Sequence, residues 1–132
     1  MISIFSFTAE GSNPLKKYQW KNRIIIITGE KESEVLYKKF LAQHEQLENR
    51  DLILLYINEH GNQFFPASLQ KEVVEKPILH YYSLETYKNE LILIGKDGGI
   101  KWRKGNLADP AEIFDLIDSM PMRQSEMRKK NN

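Results

Sequence analysis

The chain has 132 residues, no cysteine and a formal net charge of +1. This length fits one domain with a single hydrophobic core, and 41% hydrophobic with 28% charged residues is an ordinary globular composition. Near-neutrality argues against a general polyanion binder, and the absence of cysteine excludes a disulfide framework, a thiolate nucleophile and thiolate metal sites.

Residues 1–22 read as a polar lead-in segment ending in "YQWKNR". Its start, "MISIFSF", is apolar but short and lacks a basic flank, so no signal peptide is read there. The apolar runs "IIII" and "LILI" fall far below the ~20 residues that cross a bilayer. The expectation is a cytoplasmic protein with no membrane span, or a periplasmic or secreted one if an export signal preceded this start.

Ile24 to Thr28 is a continuous β-branched run, as in a strand buried on both faces. Residues 31–48 follow as a helix, with Leu36, Phe40 and Leu47 on one face and Val35 and Leu41 widening the stripe. Asp51 to Ile57, "DLILLYI", is a second buried strand. Strand, helix, strand makes a βαβ unit with parallel strands.

Asn58 to Asn62, "NEHGN", is turn-like. Ser68 to Glu75 reads as a short helix that Pro77 stops, and Ser83 to Lys88 as another with Ser83 as its cap. "LILI" and "IKWR" flank the glycine-rich "GKDGG" and predict a β-hairpin. The last helix is well signalled: Asp109 as N-cap, Pro110 first, Glu112 third, then Ile113, Phe114, Leu116 and Ile117 on its apolar face. It runs to about Met120, where Pro121 intervenes, and residues 123–132 form a basic, frayed tail.

The order βαβ, insert, hairpin, helix is the thioredoxin arrangement, and "LILIGKDGGIKWR" resembles its strand-turn-strand. Three blocks, "YQWKNRIIII", "LILIGKDGGIK" and "IFDLIDSMPMRQSEMR", resemble a cysteine-poor, peroxiredoxin-like domain family of unknown function. Members of that family occur as single bacterial domains, and related copies repeat in animal extracellular-matrix proteins of the sushi-repeat type. The resemblance implies a thioredoxin-like fold and leaves the activity undefined.

It also implies where a reactive thiol would stand, at the start of the first helix, whose half positive charge stabilises a thiolate. Here that place falls near Lys31 to Glu34 and holds no cysteine. Glu30, Glu32 and Glu34 crowd the turn, each stabilising the helix by roughly 0.3–1 kcal/mol while repelling an anion. The place of the thioredoxin cis-proline falls near Asn89-Glu90, and neither is proline.

Other constellations are weaker. Ser33 has no G-x-S-x-G context and reads as a first-turn polar residue. His44, His60 and His80 share no metal-ligand spacing, so no metal is expected. Trp20 is expected to anchor the lead-in segment on the core. Trp102 is expected on the strand face opposite Lys101 and Arg103. Arg123 is expected to pair with Asp115 or Asp118.

The expectation is therefore one α/β domain over 1–132, thioredoxin-like, with a central mixed β-sheet flanked by helices. Its expected role is a non-redox module that binds a protein or peptide, with no catalytic residue, cofactor, metal or nucleic acid. The expected contact rim joins Thr28, Glu30, Lys31 and Ser33 to the hairpin ends at Glu90 and Lys104. Two alternatives stand beside it: an enzyme with a non-thiol site at His80 or Glu30, and weak nucleic-acid or anionic-surface binding through the tail.

Overall fold

Strands β1 (Arg23–Thr28) and β2 (Leu52–Asn58) pair in parallel, Ile25 opposite Leu54 and Ile27 opposite Tyr56, in a computed structural model that describes residues 12–103 and 105–130. The chain between them forms helices α1 (Lys31–Leu41) and α2 (His44–Asn49). The βαβ reading is met, but its single helix is two. Residues 42–46 are all exposed, so no packing holds a continuous helix through them. Leu47 then returns to the core.

The stretch after β2 differs most from expectation. "NEHGN" is the tip of a second hairpin, and Gly61–Phe65 forms β3, antiparallel to β2. A 3-10 turn spans Ala67–Lys71, and α3 is Glu75–Tyr81. Pro77 lies in the first turn of α3, where its missing N–H has no intrahelical acceptor to lose. No helix forms over Ser83 to Lys88, and Ser83 itself has φ 53°.

Strands β4 (Glu90–Ile94) and β5 (Ile100–Trp102) form the expected antiparallel hairpin, with a register irregularity at Leu93 and Ile94. Gly98 supplies the positive φ that its turn requires. The sheet order is β3-β2-β1-β4-β5, a mixed sheet with the two most buried strands at and beside its centre.

Both faces of that sheet are covered, which explains the unbroken apolar runs. On one face Ile25, Ile27, Leu54, Leu91 and Leu93 pack with Phe40, Leu47, Ile113 and Ile117 from the helices. On the other, Ile24, Ile26, Leu55, Ile92 and Ile94 pack with Tyr18, Leu69, Ile78 and Tyr82. Tyr18, not Trp20, anchors the lead-in segment: Trp20 is 63% exposed with φ 70°. Trp102 is half-buried and packs against the first cluster, and Lys101 is exposed.

Helix α4 (Pro110–Asp118) starts as read, with Asp109 extended before it. The Asp109 side chain makes no cap bond and instead faces Lys39 at 3.8 Å. The basic tail is not frayed over its described part: Pro121 opens a further helix, α5 (Pro121–Lys130). Proline at a first helical position starts a helix as readily as it stops the preceding one. Among the described residues no helix is long and apolar enough to cross a membrane. Lys104 and the apolar start "MISIFSF" lie outside the described residues.

Candidate functional site

Parallel β1 and β2 send the chain out at one end of the sheet, and antiparallel β4 enters there. Thr28 therefore stands opposite Glu90 in register. Gly29, with φ 116°, turns the chain from β1 into α1. A Cβ on Gly29 would lie 2.1 Å from Asn89 Oδ1 and 2.7 Å from Ser33 Oγ, so only glycine fits.

That close approach lets the Asn89 side chain cap α1 from another loop. Asn89 Oδ1 accepts from the Glu30 amide at 3.0 Å and from Ser33 Oγ at 2.9 Å. Ser33 is fully buried, and its hydroxyl also faces the Thr28 carbonyl at 2.5 Å. One proton thus serves two acceptors. Thr28 Oγ1 donates to the Lys88 carbonyl at 2.8 Å. Tyr56 donates to the Gly29 carbonyl at 2.9 Å and accepts from Asn58 at 3.1 Å. Burial raises the Tyr56 pKa, the Asn58 bond pulls the other way, and the nearby Glu34 and Glu30 charges raise it further, so Tyr56 stays a donor. The junction is a polar knot in which the hydroxyls of Thr28, Ser33 and Tyr56 all have acceptors.

Above the knot is an open trough of about 530 Å³ lined by Glu30, Lys31, Glu32, Glu34, Tyr56 and Asn89, with Asn58 and His60 completing it. A second hollow of about 350 Å³ shares Glu34, Tyr56, Asn58 and His60 and extends along β3. The rim is thus concave, and its charge is mainly carboxylate. His60 lies 3.9 Å from Glu30.

Of the expected rim residues, the structure brings Thr28, Glu30 and Ser33 together through Asn89 and its loop. Thr28 and Ser33 are buried supports, while Glu30 and Lys31 reach the trough. Glu90 faces Arg103 at 2.9 Å, and Lys104 lies outside the described residues. His80 is exposed on α3 and lines a different hollow with Lys76 and Glu85. Among the described residues no group of three or more His, Asp or Glu could hold a metal.

Sequence reasoning missed Asn89, Tyr56 and His60. Asn89 drew notice only as a residue that is not proline. Its fitness as a cap, a short amide before a strand, was the available signal.

The fold and rim define a mixed α/β domain with a polar, solvent-open trough at one end of its sheet. The chain belongs to the family described as a domain of unknown function, DUF4174, which matches residues 14–126. It is also similar to coiled-coil domain-containing protein 80 of Danio rerio, 27% identical over 135 residues, covering 87% of this chain and 16% of that protein. The chain thus spans about a sixth of the length of this curated relative. No solved structure matches.

Proposed function

We propose that this chain is a non-redox interaction module on a thioredoxin-like frame, contacting a protein or peptide through the trough at Glu30, Lys31 and Asn89. The parallel β1–α1–β2 unit, the antiparallel β4–β5 hairpin and the following α4 support the frame. Kinship with the peroxiredoxin-like family and with sushi-type matrix repeats belongs to the same reading.

One observation carries the functional part. A concave, solvent-open trough lies over a junction whose hydroxyls, Thr28, Ser33 and Tyr56, all have acceptors within it. Such a surface can bind, but it offers no unpaired nucleophile beneath it. The carboxylates of Glu30, Glu32 and Glu34 favour a partner segment carrying lysine or arginine.

A photo-reactive amino acid at Lys31, with a control at Lys129 on α5, tests the reading in cells of the native host. A discrete adduct from position 31, absent from position 129 and lost on Glu34→Lys, is the expected result. Equal adduct patterns at both positions, or no response to Glu34→Lys, would refute it.

A further inference from the structure

At the end of the sheet opposite the rim, four cations gather where β1 begins and β4 ends: Arg23, Arg50, Lys96 and Arg123. The Arg23 side chain is only 2% exposed and that of Lys96 9%. A guanidinium buried to that degree requires an anion. Glu126 of α5 supplies it, in forked geometry. Arg23 Nη1 and Nη2 donate to its two oxygens at 3.1 and 3.2 Å, and Lys96 Nζ donates at 2.7 Å. Asp51 holds the same ammonium at 2.9 Å, and Arg123 Nη1 stands 3.8 Å from Glu126.

Among the described residues, the helix that brings this carboxylate has no apolar anchor in either core cluster. Neither Met122 nor Met127 of α5 belongs to a core cluster or packs on one. Besides Glu126, the side-chain bonds that hold it run from Arg123 to Asp118 and Asn49, and from Lys130 to the Asn49 carbonyl. A fork of guanidinium and ammonium around two oxygens is also the geometry that receives a phosphate or sulfate group.

We propose that Arg23 and Lys96 form an oxyanion site that α5 keeps filled with its own carboxylate, and that a phosphate-class anion takes the place of Glu126 when this strap lifts. Asp51 stays behind and orients Lys96 for either occupant. The site is independent of the rim and of any reading of it.

The test is thermal unfolding of the full chain in sodium phosphate against sodium chloride at matched ionic strength. The wild type is expected to respond little, because Glu126 fills the fork. Glu126→Ala is expected to melt lower in chloride and to recover saturably as phosphate is added. Adding Lys96→Ala to it should abolish the recovery. Should Glu126→Ala not fold in chloride, Glu126→Gln keeps the shape of the helix face and gives the same readout. Amides of 122–130 in either variant should exchange at least ~tenfold faster than in the wild type while those of β1, β2 and β4 stay protected. An equal phosphate response in wild type and both variants, or exchange that rises uniformly across the chain, would overturn the proposal.

Discussion

Asn89 Oδ1 meets Ser33 Oγ at 2.9 Å, and through this contact the loop before β4 closes the start of α1. Residues 56 positions apart in sequence thereby settle what the strand-to-helix junction can do. The same oxygen accepts the Glu30 amide, one of the donors that a helix start leaves without an intrahelical partner. Asn89→Ala removes both acceptor contacts and is expected to destabilise the fold by ~1–3 kcal/mol, read by urea denaturation. A change within error would mean that the cap is ornamental.

Gly29→Ala meets the same wall from the other side. Its Cβ would stand 2.1 Å from Asn89 Oδ1 and 2.7 Å from the Asn89 Cα, on a backbone with φ 116°. The left-handed strain and the overlap together are expected to cost at least ~2 kcal/mol. A melting temperature equal to that of the wild type would show that the junction is looser than these distances.

Much of this architecture is legible in the chain itself. The runs Ile24–Ile27 and Leu52–Ile57 are buried on both sides, as unbroken apolar strands must be. Asp109-Pro110 opens a helix, and "GKDGG" makes a hairpin with its positive φ at Gly98. What was hidden has physical reasons. In β3, "GNQFF", only Phe64 is buried, so it carries no alternating signal and reads as loop. Helix α5 lacks an apolar stripe because its hold is ionic, and its partner Arg23 lies 103 positions from Glu126. Local pattern cannot reveal such a pair. For the candidate site, the start of the helix after β1 is legible along the chain, but Asn89, Tyr56 and His60 come to it only when β2, β3 and β4 are brought to one end.

Tyr82 is 5% exposed, and among the described residues its hydroxyl has no hydrogen-bond partner. Burial, with a smaller push from Tyr81, raises its pKa to about 12. Tyr82→Phe removes an unsatisfied buried group while keeping the ring's edge-to-face contact with Tyr81 at 4.9 Å. Stability is expected to hold or rise by up to ~1 kcal/mol. A loss above that size in denaturant titration would reveal a partner for the hydroxyl.

The clasp at the other end of the sheet makes stability acid-sensitive. Burial pushes the Asp118 and Glu126 carboxyls up. Hydrogen bonds and charges from Arg50 and Arg123 on Asp118, and from Arg23 and Lys96 on Glu126, outweigh it and hold both below their ordinary values. Folded pKa values below unfolded ones mean stability that is full above the ordinary carboxylate range, ~4, and is lost as pH falls through the depressed values. Denaturant midpoints are expected to be flat from neutrality to about pH 5 and to fall steeply below pH 4. Asp118→Asn should weaken that fall, and an unchanged acid limb would place the sensitivity elsewhere. The Arg50 guanidinium, 4.6 Å from the Phe114 ring centroid, would keep its aromatic contact in that variant.

On the proposed reading, the carboxylate-flanked knot at the start of α1 is not a cradle for sulfur. Ser33→Cys puts a thiol among the Thr28 carbonyl, Asn89 Oδ1 and the nearby glutamates. These favour the protonated form, and burial raises a thiol pKa further. The direct measurement is the pH dependence of iodoacetamide alkylation of this variant. Alkylation slower than that of a free thiol, with an apparent pKa at or above ~8.5, is the expected result. Rapid alkylation with an apparent pKa below ~7 would show a thiolate-stabilising site and refute the non-redox reading.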